Sequence, residues 1–344
     1  MPGMPGRGVM NMLLVPVHEL KDGDRLGRGL YSGDGRLLLK QGIRLNDRMI
    51  EGIKRLGLNY IYVEISDNGS GSAGRDWKRN LRAVTGELLD RCFQAIRRNG
   101  TFPAKPLFDW AEHLSGIVTE KPDFKLGPGD LTMDQEELIA HSLNVCFLSM
   151  LTAKALGYGE RLLREVAIGS LLHDIGLAVP LEDKLVMNHP LIGFDILRKV
   201  PGIPTNALQI VLQHHERIDG RGFPQGIRGR AFREASQICA VACEFDDFMN
   251  RSLTPRLPEE GFDYVMSKID TSYDYGVVRA FLRIFEPYPV GTAVKLTGNL
   301  EGTVIETNPA NPNRPVVQLR ATGGRIDLMR HPTLRIERAQ PANP

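Results

Sequence analysis

Five of the eight histidines in this chain lie between positions 141 and 215, and acidic residues stand close to several of them. Glu137 and His141 are four residues apart, so on a helix their side chains share one face. His173 and Asp174 close an apolar segment, where an ionisable pair is costly to bury unless it is hydrogen-bonded or binds a metal. The candidate metal ligands are Glu137, His141, His173, Asp174, His189, His214 and His215.

The chemistry of this candidate set favours a catalytic metal centre. Imidazoles and carboxylates without thiolates suit Fe, Mn or catalytic Zn better than a structural zinc site. Two neighbouring groups of histidines, with Asp174 able to bridge them, indicate more than one cation. Two cations could bind a phosphodiester and supply hydroxide near neutral pH, with Asp174 orienting that nucleophile. The alternative interpretation is a polar network within a helical core.

A loop directly after the paired histidines forms the second candidate feature. Helical spacing stops at Ile218, and the glycines and proline that follow force a compact turn. Phe223 offers a ring on which a nucleobase could stack, and the arginines could meet phosphate. The alternative is a helix-ending turn with solvated arginines. The candidate substrate-binding residues are Arg217, Asp219, Gly220, Arg221, Gly222, Phe223 and Pro224.

These residues must be positioned by a mainly α-helical region between two smaller β-rich units. Helical spacing of apolar residues dominates the middle of the chain, whereas short apolar runs between Gly, Pro and Asn turns indicate strands near both ends. A Gly/Ser-rich stretch without large aliphatic side chains predicts a flexible linker. The predicted divisions are a β-rich unit at 1–65, a linker at 66–76, a helical domain at 77–286 and a β-rich unit with a tail at 287–344.

Composition narrows the possible functions further. The chain has 344 residues and a formal net charge of +2, and it lacks the concentrated basic face of a duplex nucleic-acid binder. No apolar stretch approaches the ~20 residues of a membrane span, and no secretory leader is evident at the start. The four cysteines form no C-x-x-C pair. We therefore expect a cytoplasmic protein with reduced thiols and no membrane partner.

Three sequence strings together resemble the HD-GYP family of cyclic di-GMP phosphodiesterases. They are His-Asp-Ile-Gly at 173–176, His-Pro at 189–190, and the run from His214 to Pro224. The resemblance covers about residues 131–286, and it implies an all-α HD-superfamily bundle. It also implies two or three divalent ions, Fe or Mn rather than Zn, bound by the seven candidate ligands. His173 and Asp174 would then be catalytic, and Glu137 would serve a third metal.

The chain departs from the family pattern around the same pocket. A lysine usually follows His-Asp-x-Gly in the family, but Leu177 stands here; Phe223 replaces the tyrosine of the name-giving triplet. The segment between Asp174 and His189 is shorter than in the family. Cys243 stands where the last metal-binding aspartate belongs.

Three outcomes stay open at this position from the sequence alone. The Cys243 thiolate could bind a metal, Asp247 could reach in from one helical turn further on, or the metal position could be filled by water or empty.

The resemblance implies metal-dependent hydrolysis of cyclic di-GMP to pGpG and GMP through a metal-bridging hydroxide. Because of Leu177 and Cys243, an alternative is a degenerate HD-GYP domain that binds a cyclic dinucleotide or a signalling partner with little or no turnover. A second alternative is a phosphohydrolase acting on another nucleotide. A diguanylate cyclase of the GGDEF type is a possible partner, and a homodimer is a possible assembly.

Overall fold

A computed structural model describes residues 12–17, 20–27, 29–31, 37–56, 60–64, 73–121, 124–131, 136–179, 187–251 and 256–340. The chain divides into two compact units, residues 1–87 and 88–344. The division falls within a helix rather than at the predicted linker, and the second unit holds both the helical bundle and the C-terminal sheet. Of the predicted linker, residues 66–72 lie outside the described residues, and residues 73–76 are helical.

Up to Glu64, the described residues of the first unit form a small β-rich fold with one short helix. Strand β1 (Met12–Pro16) pairs antiparallel with β4 (Tyr60–Glu64), and β2 (Leu30–Tyr31) pairs antiparallel with β3 (Leu37–Leu39). Helix α1 (Asp47–Arg55) begins after Asn46, whose side chain accepts a hydrogen bond from the Met49 N–H. Alternate apolar residues of the strands pack against the buried face of α1.

Nine helices follow among the described residues, and those from Lys105 onward pack together as one bundle. They are α2 (Ala73–Asn99), α3 (Lys105–Glu120), α4 (Glu137–Ala155), α5 (Glu160–Leu171), α6 (His189–Leu197), α7 (Thr205–Gln213), α8 (Glu234–Asn250), α9 (Pro258–Met266) and α10 (Tyr275–Ile284). Helix α4 packs against α3, α5, α8 and α10, and α7 packs against α5, α6 and α8. The bundle therefore surrounds α4 on several sides.

Helix α4 has the length and hydropathy of a membrane span, and no other helix among the described residues does. The fold explains this composition differently, because 83% of its apolar window is buried among neighbouring helices. A helix that is apolar all round is expected at the centre of a bundle.

The C-terminal part of the second unit is a five-stranded antiparallel sheet. It contains β5 (Ala293–Leu296), β6 (Leu300–Glu306), β7 (Val316–Leu319), β8 (Arg325–Asp327) and β9 (Ile336–Gln340), in the order β8-β7-β6-β5-β9. Val294 and Leu296 alternate toward a core shared with Val304 and Val317. The structure thus confirms the predicted fold class, a helical bundle with β-rich units before and after it in the chain.

Candidate metal centre

Four helices of the bundle bring the predicted histidines to one buried point. His141 lies in the second turn of α4, and His173 and Asp174 lie in the turn that follows α5. His189 is the first residue of α6, and His214 follows the last residue of α7. All five side chains are buried, and the neighbouring His215 is half-buried. The sequence predicted this convergence without being able to give distances.

Two glycines allow the turn after α5 to lie directly on α6. A Cβ added to Gly176 would lie 2.1 Å from the carbonyl oxygen of His189. A Cβ added to Gly193 would lie 2.9 Å from Val211 and 3.2 Å from Ile175. Real Cβ atoms essentially never lie within 3.0 Å of another heavy atom, so a side chain at Gly176 would force the turn or the His189 backbone to shift.

Asp174 lies between two groups of histidines and turns one carboxylate oxygen toward each. Its Oδ1 atom is 3.1 Å from Nε2 of His189 and 3.5 Å from Nε2 of His214. Its Oδ2 atom is 3.4 Å from Nε2 of His173 and 3.9 Å from Nε2 of His141. With His215 and Cys243, these side chains form two groups of potential ligands. We call them site A (Asp174, His189, His214 and His215) and site B (His141, His173 and Cys243).

Hydrogen bonds on the far side of three rings fix which nitrogen faces the centre. Nδ1 of His141 is 2.8 Å from Oδ2 of Asp246, Nδ1 of His173 is 2.8 Å from the Ser170 carbonyl, and Nδ1 of His214 is 2.8 Å from the Val211 carbonyl. Each partner is an acceptor, so each Nδ1 donates its proton. The neutral ring then presents a bare lone pair at Nε2, as metal-binding histidines do.

The donor chemistry of site B fits a cation. Nε2 of His141 and Nε2 of His173 are 3.2 Å apart in a fully enclosed position. Two lone pairs at this distance repel each other unless a proton or a metal ion lies between or beside them. The polar-network alternative therefore requires an imidazolium here, whereas a divalent cation satisfies both nitrogens and Asp174 at once.

Most of the ionisable groups in the cluster have the protonation state that a metal ligand needs. Burial by itself raises the pKa of Asp174, but the surrounding imidazoles, first His173, outweigh burial and hold that pKa well below its usual value. Burial lowers the pKa of His173 to about 3 and also lowers that of His215, so both rings are neutral at pH 7. Burial also lowers the pKa of His141, yet its hydrogen bond to Asp246 and nearby carboxylates raise the net value.

Helix α8 supplies the remaining side chains around His141. Sγ of Cys243 is 3.6 Å from Nε2 of His141, inside the cluster. Asp246 lies on the opposite edge of the ring, and its Oδ1 atom accepts hydrogen bonds from Asn144 and Asn250, at 2.8 Å and 2.7 Å. Burial, followed by Asp247 and Asp174, raises the pKa of the Cys243 thiol well above its usual value.

The loop after the paired histidines is anchored by a buried carboxylate. Oε1 of Glu216 accepts the Gln225 N–H at 2.7 Å, and Oε2 accepts the Ile227 N–H at 3.2 Å. The Phe223 ring stacks on His215, with 4.5 Å between centroids and 19° between planes. The structure therefore places Phe223 beside site A.

Contacts within the loop also hold several of its other residues in place. Arg217 lies 3.1 Å from Asp219, and Asp219 also accepts the Arg221 N–H at 2.9 Å. Gly220 has a φ of +77°, and a Cβ there would lie 2.4 Å from the Arg228 side chain. The loop is thus a compact turn in which Arg217 is half-buried and Arg221 is exposed. Gly222 and Pro224 belong to the same turn.

Glu137 does not join the cluster. Its side chain is 65% exposed, and its Oε1 atom lies 3.4 Å from Nε of Arg251. Ile139 and Ala140 in the same turn of α4 are buried, whereas the Glu137 side chain faces solvent. Sharing a helix face with His141 therefore does not bring the two groups to one point. Leu177 is half-buried in the turn after Asp174. The shortened segment between Asp174 and His189 includes residues 180–186, which lie outside the described residues.

Comparisons with known proteins match the helical part of the chain that holds this cluster. The HD domain family model matches residues 131–277. The cyclic di-GMP phosphodiesterase PA4108 of Pseudomonas aeruginosa is 30% identical over 230 residues, covering 61% of this chain and 54% of that protein. A cyclic di-GMP phosphodiesterase of Thermotoga maritima is 33% identical over 223 residues, covering 58% of this chain and 61% of that protein. The chain thus spans about half to three-fifths of these relatives' length.

The solved structure of Bd1817 from Bdellovibrio bacteriovorus, described as an HDG"Y"P protein, shares the fold. It covers 78% of this chain and 98% of its own, with a TM-score of 0.50 and 16% identity. The bundle and its histidine–aspartate cluster define an HD domain. More specifically, residues 131–277 form an HD-GYP domain, which confirms the resemblance found in the sequence.

Asp246 is a site residue to which the sequence analysis assigned no role. Its buried carboxylate orients His141 and is itself held by two asparagine side chains. A signal was available, because Asn144 lies three residues after His141 and Asn250 lies four after Asp246. Polar residues at helical spacing in apolar helices indicate a shared buried partner.

Proposed function

We propose that the HD-GYP domain of this chain is a metal-dependent phosphodiesterase that hydrolyses cyclic di-GMP to pGpG and GMP. The observation that carries the proposal is the placement of Asp174, with one oxygen toward each of two histidine groups. A single carboxylate between two sets of imidazole lone pairs suits two cations that share it. The relatives named as cyclic di-GMP phosphodiesterases support the substrate class.

The proposed ligands follow from the atoms that face the centre. Two divalent cations bound there would hold the phosphate oxygens and make hydroxide available near neutral pH. Exposed Glu137 is not placed to bind a third ion, so we propose two. One cation would lie in site B with Oδ2 of Asp174, and the other in site A with Oδ1 of the same carboxylate.

The protein's own contribution is to orient these groups before substrate arrives. The Ser170 and Val211 carbonyls hold His173 and His214 in one tautomer, and Asp246 does the same for His141. Because these groups are buried and hydrogen-bonded, little reorganisation is needed when charge develops on the phosphate. Asp174 is fixed by its neighbours on both sides and orients the attacking oxygen.

The loop that contains Phe223 is proposed to bind the nucleotide. Its ring lies next to site A, where a guanine base could stack. Arg217 and Arg221 lie on the partly exposed side of the loop and could meet phosphate. Glu216 fixes the loop backbone, so the ring and the arginines are presented in one arrangement.

Leu177 favours a second candidate function. An uncharged side chain at this position provides no cation for the phosphate, and a positioned cation commonly contributes a few kcal/mol to the transition state. A domain that binds a cyclic dinucleotide with little turnover would use the same residues. A diguanylate cyclase partner, a homodimer and a cytoplasmic location remain predictions.

A product assay tests the proposal and separates the candidates. The full chain, loaded with Mn²⁺ or Fe²⁺ under reducing conditions, is incubated with cyclic di-GMP, and the products are separated by chromatography. We expect pGpG and GMP from the unmodified chain and neither product from Asp174→Asn. His331→Ala, which changes an exposed histidine in the C-terminal sheet region, is the matched control and should retain activity.

The possible results point to different conclusions. Binding of cyclic di-GMP without either product contradicts the phosphodiesterase and favours the binding domain. Faster hydrolysis of a competing cyclic dinucleotide or linear nucleotide contradicts cyclic di-GMP as the preferred substrate. Equal rates for Asp174→Asn and the unmodified chain would show that the site is assigned incorrectly.

A further inference from the structure

Site B contains a sulfur atom among its potential ligands. Cys243 is buried on α8, and its Sγ atom, Nε2 of His141 and Nε2 of His173 all lie within 4.8 Å of one another. Oδ2 of Asp174 faces the same two nitrogens, at 3.9 Å and 3.4 Å. Four donor atoms of three kinds therefore converge on one enclosed position, which is the number of ligands that a tetrahedral metal takes.

The acidic neighbours of Cys243 cannot take its place in this arrangement. Asp247 Oδ1 lies 3.5 Å from Nδ1 of His141, and Asp246 Oδ2 lies 2.8 Å from the same nitrogen. Both carboxylates are thus beside the ring edge that carries the proton, not beside the lone pair at Nε2. Asp247 is also paired with Arg251 at 3.1 Å. Only Cys243, of these three α8 residues, faces the lone pairs.

We propose that Cys243 is a thiolate ligand of the cation in site B. This rests on the proposed metal centre, and it assigns to this chain a mixed nitrogen, oxygen and sulfur site next to one made of nitrogen and oxygen alone. As the sulfur–metal bond forms, the S–H bond breaks and its proton passes to solvent, so binding at site B releases a proton.

A sulfur ligand changes which metal site B selects. Thiolates and imidazoles together suit Zn²⁺, Co²⁺ and Fe²⁺, whereas Mn²⁺ prefers oxygen ligands. Site A offers imidazoles and a carboxylate but no sulfur, so it discriminates less among these ions. The two positions of one centre are therefore chemically different, and Mn²⁺ should be displaced by Zn²⁺ more readily from site B than from site A.

Cobalt spectroscopy tests the sulfur ligand without measuring activity. The reduced, metal-free full chain is titrated with Co²⁺ while absorption is recorded and bound cobalt is counted by elemental analysis. A thiolate bound to Co²⁺ gives a charge-transfer band in the near ultraviolet, and nitrogen and oxygen ligands alone do not. We expect this band to grow with one of two bound ions.

Substitutions identify which thiol is responsible. Cys243→Ser should remove the band and weaken one of the two Co²⁺ sites by at least about tenfold. Cys243→Asp should remove the band while keeping both ions, which guards against a variant that fails to fold. Cys239→Ala changes a buried cysteine one turn earlier on α8, outside both sites, and should keep the band.

The outcomes separate failure of this proposal from failure of the metal centre. Two bound Co²⁺ ions with no near-ultraviolet charge transfer would overturn the sulfur ligand and leave the centre intact. A band that survives in Cys243→Ser, or disappears in Cys239→Ala, would also overturn it. A folded chain that binds no Co²⁺ would overturn both.

Discussion

Replacing Asp246 with asparagine tests whether the protein fixes His141 for metal binding. The two oxygens of Asp246 receive three donors, namely the Nδ1–H of His141 and the amide groups of Asn144 and Asn250. Asparagine keeps the shape but replaces one acceptor with a donor. Either His141 loses its acceptor, or the amides of Asn144 and Asn250 face another amide nitrogen.

The expected losses of stability and of metal affinity follow from this count of donors and acceptors. A buried donor left without an acceptor costs about 1–3 kcal/mol of stability. If His141 instead moves its proton to Nε2, that nitrogen can no longer bind a metal. Loss of an orienting partner typically reduces metal affinity by about 10–100-fold, which is about 1.4–2.7 kcal/mol. The loss should affect site B and spare site A.

A competition titration against a coloured chelator measures both affinities in the full chain. We expect Asp246→Asn to show one weakened and one unchanged site, with a far-ultraviolet circular dichroism spectrum like that of the unmodified chain. Asp195→Asn removes an exposed carboxylate that lies 2.7 Å from Arg198, and it should change neither affinity. Two unchanged sites in folded Asp246→Asn would refute this reasoning.

Three further substitutions test other parts of the site. Glu216→Ala removes the acceptor of the Gln225 N–H and should raise the KM for the nucleotide more than it changes metal affinity, as measured by steady-state kinetics. Gly176→Ala places a methyl group against the His189 carbonyl and should lower the midpoint of thermal unfolding and the affinity of site A. Glu137→Gln should leave the metal stoichiometry and affinities unchanged, as measured by elemental analysis and titration, because the side chain is exposed.

Controls and contrary results are available for each of the three. Glu160→Gln, at an exposed position, controls for the change at Glu216, and a purely structural role there would lower kcat and stability without raising KM. Gly116→Ala lies in α3 with no atom near the added Cβ, so it should not destabilise the fold. Unchanged stability in Gly176→Ala, or loss of an ion in Glu137→Gln, would contradict the described contacts.

The helical scaffold could be predicted from the sequence because burial imposes a regular spacing on apolar residues. The region predicted to be helical, residues 77–286, holds helices α3 to α10. The small β-rich units were predicted from their turns. Within the C-terminal unit, Arg325–Asp327 and Ile336–Gln340 have little apolar alternation, so the sequence carries no periodic signal for strands β8 and β9.

Glu137 shows the limit of reasoning from helix faces. A spacing of four residues correctly places Glu137 and His141 on one side of α4, but it gives no information about where neighbouring helices end. The bundle covers His141 and leaves Glu137 beside Arg251 in solvent. Depth within a bundle is set by tertiary packing, which local periodicity does not encode.

Cys243 shows the same limit for neighbouring side chains on one helix. Helical geometry alone could not choose between Cys243 and Asp247, which lie about one turn apart. The choice depends on which edge of the His141 ring each side chain meets. Ring orientation is fixed by hydrogen bonds between helices distant in sequence, so only the three-dimensional arrangement reveals it.

Anomalous X-ray scattering from crystals of the full chain grown with Mn²⁺ or Zn²⁺ would show whether Asp174 lies between two cations held by histidines from four helical segments. We predict two anomalous peaks, one beside each carboxylate oxygen of Asp174, with Zn²⁺ enriched near Cys243. A single peak, or peaks only among exposed carboxylates, would contradict this prediction.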